Sequence, residues 1–299
     1  MGLGKDIWRI GVAQAPVDQI AARGLDGCAV RWIDLERPFS FLADPFGLWR
    51  GDRLHVFAEA YDYRTRHGVV DHLTFRTDRT FSDRRTVLRE PWHLSYPFVF
   101  EADGEVWMAP EAFRSGRLTL YRARAFPEAW EPALTLELDT PAIDPTVFRH
   151  DDLWWIAYAP RGSQAAKQGR LHLAYCESLT GVWRTHPDNP VRIDRASSRP
   201  GGAPFLHEGV LTLPVQDCSR TYGGAIRLLR ILELSPERFV AEAGEPIAPP
   251  ASADPFTDGM HTLSACGPAT LIDVKRIDRS LGGFAIDVGR RAGLWRRGS

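Results

Sequence analysis

Four stretches of this chain repeat one order of polar and apolar positions. Each opens on a small or polar residue and a proline, runs through an apolar strand, turns on a few polar residues and returns as a second apolar strand. They read ADPFGLWRGDRLHVFAEAYD, SYPFVFEADGEVWMAPEAF, IDPTVFRHDDLWWIAYAP and GAPFLHEGVLTLPVQD. Their prolines, Pro45, Pro97, Pro145 and Pro204, stand 52, 48 and 59 residues apart. Asp103-Gly104 joins two β-prone runs in the second stretch. That pair predicts a hairpin, because it tolerates the positive φ of a tight turn. A third apolar strand follows each hairpin, at 70–75, 118–121, 171–175 and 225–231. A fourth, outer strand is predicted near 86–88, 133–136 and 238–240, and the third unit replaces it with Trp183 and the turn-rich stretch 186–190. A fifth, divergent unit runs from Asp258 through Met260-His261-Thr262 to the apolar stretch 269–274.

Four-stranded units recurring about every 50 residues are the arithmetic of propeller blades. The chain is therefore expected to be all-β, one domain over 1–299, folded as a five-bladed β-propeller with blades near 40–90, 91–139, 140–194, 195–250 and 251–290. The early strand at 7–12 is left over. It is expected to join the last blade near 284–288, closing the ring and removing an open sheet edge. A β-sandwich would not need similar hairpins at a fixed long period.

Composition narrows the function classes. The 26 Gly and 22 Pro are spread along the chain, and both interrupt helices, which argues against a helical bundle. Lys and Arg number 37 against 38 Asp and Glu, a formal charge of -1, a balance that gives no support to a nucleic-acid or an anionic-membrane partner. No apolar run approaches the ~18 residues of a membrane helix. The opening MGLGKDIWRIGVAQAP has no apolar core of a signal peptide. No membrane span and a cytoplasmic location are the expectations. Cys28, Cys176, Cys218 and Cys266 lie far apart without a CxxC, which reads as reduced thiols with neither a zinc site nor a disulfide framework. No nucleotide loop, GxSxG or HExxH occurs, so no cofactor and no metal are expected.

The innermost strand of each propeller blade lines the axis. With the proline runs taken as innermost, Asp44, Tyr96, Asp144 and the turn that begins at Arg199 face the channel mouth. The ends of the second strands add Glu59, Glu111, Gln216 and Asp217, and the fifth unit adds His261. Carboxylates from several blades would then converge on one axial pocket. Trp49, Trp107, Trp154 and Trp155 lie on the same hairpins, and aromatic faces beside carboxylates suit a sugar ring.

Glycosidic cleavage uses two carboxyl groups, one protonated as the acid and the other a base or nucleophile. A third carboxylate raises the acid's pKa by like-charge repulsion. The catalytic candidates are Asp44 as base or nucleophile, Glu111 as acid, Asp217 as the alternative acid, and Asp144 as the orienting or pKa-setting carboxylate. Tyr96, Arg199, Gln216, His261, Trp49 and Glu59 are candidate substrate contacts. Each has a plainer reading. Asp before Pro is a common turn device. Glu59 and Glu111 sit at matching places and suit inter-blade contacts. A buried histidine is often only hydrogen-bonded.

The strings ADPFGLW, HLSYPFVFEADGEVWMAPE, IDPTVF with RHDDLWWIAYAP, SRPGG with LPVQDCSRTYG, and GMHTLS carry a further signal. From about Trp8 to Asp287 the chain resembles the N-terminal β-propeller domain of plant glucosamine inositolphosphorylceramide transferases and their bacterial relatives. That family is similar to the five-bladed glycosidases of the arabinanase and invertase type, which carry an Asp on the first blade, an Asp on the second and a Glu on the third. Asp44 matches the first. Tyr96 stands where the second Asp is expected, and blade three offers Asp144 without a Glu in its hairpin. The resemblance implies a sugar or glycoconjugate ligand in the axial pocket and glycosyl hydrolysis or transfer as the chemistry. In the plant proteins transfer is attributed to a separate C-terminal domain. The rival expectation is therefore a non-catalytic sugar-binding propeller that assists a glycosyltransferase partner. A purely structural propeller, with its mouth filled by side chains, is the third.

Overall fold

The computed structural model describes residues 4–34, 37–76, 80–82 and 84–295. The chain begins with β1 (Lys5–Ala13), α1 (Val17–Arg23) and β2 (Val30–Trp32). Blade one follows as β3 (Ser40–Arg50), β4 (Arg53–Asp62), β5 (His67–Arg76) and β6 (Arg85–Leu88). Blade two is β7 (Ser95–Ala102), β8 (Glu105–Glu111), β9 (Leu118–Ala125) and β10 (Ala129–Leu136). Blade three holds β11 (Ala142–His150), β12 (Leu153–Pro160), α2 (Gln164–Gly169), β13 (Arg170–Cys176), β14 (Arg184–Thr185) and β15 (Arg192–Ile193). Blade four holds β16 (Arg199–Pro200), β17 (Phe205–His207), β18 (Val210–Asp217), β19 (Ala225–Leu234) and β20 (Phe239–Ala243). Blade five is built on β21 (Leu263–Cys266) and β22 (Ala269–Asp278), and α3 (Leu281–Arg291) comes last. Successive strands pair antiparallel within each blade, giving the five sheets of a β-propeller.

The ring closes through the first strand. β1 pairs with β22 along its whole length, from Lys5 opposite Asp278 to Ala13 opposite Thr270, and β2 pairs with the other edge of β1. The expected partner near 284–288 is not used. Phe284, Ile286 and Val288 alternate as a strand would, yet they lie in α3. Both edges of β1 are already taken, so this stretch docks as a helix instead. It buries Gly283, Ile286 and Gly289.

Three inner strands share one device. The register slips between Ala43 and Phe46, between Ser95 and Phe98, and between Ile143 and Thr146. Each slip holds a non-glycine residue with positive φ: Asp44 at 50°, Tyr96 at 46° and Asp144 at 51°. A bulge bends its strand and re-aims one side chain. Such a backbone costs on the order of 1–3 kcal/mol and persists only where its surroundings hold it.

The fourth inner strand differs from the expectation. Pro204 falls between β16 and β17 rather than opening a strand. The residue matching Asp44, Tyr96 and Asp144 is Arg199, which precedes Pro200. The break falls at Gly201-Gly202, where Leu263 N–H donates to the Gly201 carbonyl at 2.8 Å. A Cβ on Gly202 would lie 1.9 Å from the Leu263 carbonyl oxygen. Blades four and five therefore meet backbone to backbone.

The apolar core forms layers between blades. Phe46, Phe57, Phe98, Trp107 and Trp154 belong to one buried cluster, and Trp155, Leu171, Leu213 and Leu229 to another. These tryptophans hold blades together; they are not brought to the axis.

Gly202→Ala is expected to destabilise the fold by about 3 kcal/mol or more, since backbone cannot yield as a side chain can. Gly244→Ala places its Cβ 3.6 Å from its nearest neighbour, the Leu228 carbonyl oxygen, and should leave the melting temperature almost unchanged. Thermal unfolding followed by circular dichroism separates the two; equal melting temperatures would contradict the close approach.

Candidate active site

The bulged residues of blades one to three, Arg199 of blade four and the start of β21 meet around one end of the axis. Asp44, Glu59, Glu111, Asp144, Arg199, Gln216, His261 and Asp273 are all buried, none more than 9% exposed.

Asp144 is one hub. Arg199 Nε donates to its Oδ2 at 2.6 Å and Nη2 to its Oδ1 at 3.2 Å, a two-pronged ion pair. Gln216 Nε2 donates to the same Oδ2 at 2.7 Å. The Asp144 N–H donates to Glu111 Oε2 at 3.3 Å, and Arg199 Nη2 lies 4.0 Å from that oxygen.

Asp273 is the other hub. Its Oδ1 accepts the N–H groups of His261 and Thr262, both at 2.9 Å. Its Oδ2 accepts the Asp44 N–H at 3.0 Å and faces His261 Nδ1 at 2.6 Å.

Asp44 sits between the hubs. It accepts the Tyr96 N–H at 3.2 Å and the Thr262 hydroxyl at 3.2 Å, and lies 3.5 Å from His261 Nδ1. The Tyr96 hydroxyl meets Thr146 Oγ1 at 2.8 Å and accepts the Gly202 N–H at 2.9 Å. Tyr96 thereby ties blades two, three and four together.

Burial decides where the protons are. It pushes Glu111 well above the carboxylate range; Asp144, hydrogen-bonded to it, adds like-charge repulsion, and Arg199 only partly offsets both. Glu59 is raised by burial and then by Asp44, Glu111 and Asp144. Its neighbour His93 is held neutral, its pKa lowered to about 3 by burial and then by Arg114 and His67. Since His93 Nδ1 accepts the Gly68 N–H at 2.8 Å, its proton is on Nε2, 3.4 Å from Glu59. A neutral His93 therefore offers Glu59 a hydrogen-bond donor rather than a counter-charge.

Asp44 is raised to about 6, by burial first, while His261 opposes and Asp144 and Asp273 add to the rise. Burial also works against a charged His261, but Asp273 and Asp44 outweigh it and raise its pKa. Asp273 goes the other way. Burial would raise it, but His261 and the N–H groups it accepts hold it below its ordinary value. The centre thus sets two acids that burial pushes well upward, Glu111 and Glu59, beside Asp44, which loses its proton near pH 6.

Ligand atoms of Asp44, His261 and Asp273 lie within 4.8 Å of one another, a grouping that could bridge a cation. Within it, His261 Nδ1 and Asp273 Oδ2 are 2.6 Å apart, close enough to share a proton.

Two expected residues lie elsewhere. Asp217 follows Gln216 on β18, so its side chain points to the opposite face. There it accepts Arg227 Nε at 2.9 Å and the Ser219 N–H at 3.0 Å. Burial would raise its pKa, but Ser219 and Arg227 lower it, so it is no proton donor. Trp49 stands five residues beyond Asp44, roughly 16 Å along the strand. Its Nε1 donates to the Cys266 carbonyl at 2.8 Å.

Other members were not foreseen. Asp273 and Thr262 lie in a unit without the proline marker. Trp8 stacks on His261 at 3.6 Å, and Tyr222 lies under the Arg199 guanidinium at 5.0 Å. Lys275, fully buried, donates to the Tyr222 carbonyl. The signal for Asp273 and Lys275 was present: two charges inside the apolar run Leu271-Ile272-Asp273-Val274-Lys275 of one strand.

Comparison with known proteins agrees with this architecture. The family described as "Glucosamine inositolphosphorylceramide transferase 1, N-terminal" matches residues 11–247. Glucosamine inositolphosphorylceramide transferase 1 of Arabidopsis thaliana is 37% identical over 206 residues, which is 68% of this chain and 27% of that protein. Its counterpart in Oryza sativa subsp. indica is 37% identical over 208 residues, 68% of this chain and 28% of the relative. The chain thus spans little more than a quarter of these relatives. Among solved structures, a family 117 glycoside hydrolase from Zobellia galactanivorans aligns with a TM-score of 0.56 at 11% identity, covering 92% of each chain. An alpha-L-arabinanase from Cellvibrio cellulosa aligns with a TM-score of 0.50 at 13% identity, covering 67% of this chain and 77% of that one. These likenesses show a shared fold.

The burial of Asp44 also sets a pH dependence. A carboxyl raised from 3.8 to about 6 costs the native state nothing below pH 3.8 and its full penalty above about 6, on the order of 2–3 kcal/mol. Asp44→Asn removes that penalty. The variant's melting temperature relative to wild type should therefore rise between pH 4 and pH 8. A difference that stays flat or falls over that range would contradict the buried-charge assignment.

Proposed function

The chain belongs to the family of the glucosamine inositolphosphorylceramide transferase N-terminal domain, and from that premise we propose that its axial site binds the sugar of a glycoconjugate and cleaves or transfers a glycosyl group. The observation that supports this most is the division of protons. Burial and Asp144 push Glu111 well above the carboxylate range, while Asp44 loses its proton near 6. Two carboxyls pushed apart in this way are what acid–base chemistry at a glycosidic bond requires.

In this reading Glu111 donates its proton to the leaving oxygen as the glycosidic bond breaks. Asp44 accepts a proton from the incoming hydroxyl, of water in hydrolysis or of an acceptor in transfer. Asp144 and Arg199 position Glu111, the carboxylate raising its pKa and the guanidinium limiting the rise. His261, held by Asp273 and by the Trp8 ring, orients Asp44. Tyr222 offers an aromatic edge to a sugar. The relatives are named for glucosamine and inositolphosphorylceramide, and a glycoconjugate is the ligand class extended from them to this chain.

Two observations favour a second reading. The two-pronged Arg199–Asp144 pair and the burial of the whole centre suit a propeller that binds a sugar for a separate transferase without turning it over.

The test is a screen of the purified protein against activated furanosides, pyranosides and nucleotide sugars, read by turnover and by ligand-induced thermal shift. On the catalytic reading, Asp44→Asn and Glu111→Gln each lower turnover by about 10²–10⁴-fold while keeping a ligand shift. Wild-type turnover should rise as pH passes about 6 and fall again once Glu111 is ionised. A ligand shift with no turnover by wild type would select the binding reading. Turnover unchanged in Asp44→Asn would remove Asp44 from the chemistry.

A further inference from the structure

Helix α3 stands at the mouth end of the propeller. β22 passes through Asp273 of the axial centre and ends at Asp278, so the helix that follows begins beyond that centre. Cβ atoms built on Gly282 and Gly283 would lie 2.9 and 3.6 Å from the ring of Phe39, just before β3. Lys5 Nζ donates to Asp287 at 2.6 Å. With Ile286 buried, one side of α3 is fixed against the rim of blades five and one.

Its other side is apolar and uncovered. Leu281, Phe284 and Val288 are 84%, 57% and 47% exposed. Their i, i+3, i+7 spacing puts them on one stripe. Leu294 and Trp295, which fold back against Gly289 just past the helix, are also exposed, at 68% and 40%. These five are the majority of the nine exposed large hydrophobic side chains among the described residues. The other four, Val182, Ile193, Leu206 and Leu232, are scattered over blades three and four, as is ordinary for a soluble surface.

Cations outnumber carboxylates around the stripe. Arg279 precedes the helix, and Arg290 and Arg291 end it. Arg64 lies 5.7 Å over the Trp295 ring. The carboxylates among them already face cations: Asp287 faces Lys5, Arg66 and Arg290, Asp278 faces Arg276, and Asp62 faces Arg64. The near-neutral total charge hides this local excess.

An apolar stripe on a convex helix, rimmed by arginines and finished by a tryptophan, complements an anionic lipid surface. The acyl boundary takes the Leu, Phe and Val side chains, and lipid phosphates face the guanidinium groups. Tryptophan favours the level between them, with one end apolar and the other wet. At 11 residues the helix is too short to span a bilayer, which takes about 20. We propose that α3 anchors the propeller on the surface of an anionic membrane and so holds the axial mouth beside the lipid headgroups. This goes beyond the axial chemistry and does not depend on turnover.

Co-sedimentation of the full chain with phosphatidylcholine vesicles, with and without phosphatidylglycerol, tests it. Wild type is expected to sediment with the phosphatidylglycerol vesicles and to be released by raised salt. Leu281→Ser with Phe284→Ser should cut the vesicle-bound ratio at least about tenfold. Their melting temperature should not move, because both side chains are exposed. Arg279→Gln with Arg291→Gln should abolish the preference for phosphatidylglycerol. Wild type that stays in solution with both vesicles overturns the proposal. So does a dimer by light scattering that Phe284→Ser dissociates, since a second copy would then cover the stripe. Vesicle binding is read without substrate, so its failure leaves the axial reading standing, and a silent axial site leaves this one standing.

Discussion

Five carboxyl groups, those of Asp44, Glu59, Glu111, Asp144 and Asp273, are buried around one axis, where little water is left to separate their charges. Ionising all of them would cost far more than the fold can supply. The centre relieves this in three ways. Arg199 and His261 bring opposite charge to Asp144 and Asp273. Backbone N–H groups of Asp44, His261 and Thr262 turn toward Asp273. Burial pushes the pKa values of Glu111 and Glu59 up, which favours their uncharged forms. What makes the cluster tolerable also sets the pKa values of its carboxyls apart.

The propeller places these groups. Bulges at Asp44, Tyr96 and Asp144 turn side chains that would otherwise alternate with their neighbours toward the axis. Ring closure is part of the same arrangement. Ile10 of β1 pairs with Asp273 of β22, and Trp8, two residues before it, stacks on His261. The first strand thus completes the last blade and also supplies one wall of the site.

Much of this was legible in the sequence, for physical reasons. Hairpin signals and the spacing of Pro45, Pro97 and Pro145 marked the blades, because an inner strand repeated around a ring meets the same constraints each time. Eight of the ten candidate site residues meet at the axis. Asp217 and Trp49 do not, because periodicity names a strand without fixing which face each residue takes or how far along it stands. Arg199-Pro200 reads as a turn at the mouth, and Pro204 as the opening of the inner strand, because a break at two glycines hides the short strand at Arg199. Asp273 was missed because the fifth unit lacks the proline that marked the others. The stretch 284–288 has the alternation of a strand, and only the occupied edges of β1 make it a helix.

The central claim is that protons are unequally divided among these buried carboxyls at neutral pH. Infrared difference spectroscopy across a pH titration tests it directly, because a protonated carboxylic acid and a carboxylate absorb at different frequencies. The account predicts a carboxylic-acid band at pH 7 that is reduced in Glu111→Gln, with Asp44 giving up its proton near pH 6. A wild-type spectrum at pH 7 in which every axial carboxyl is ionised would contradict it.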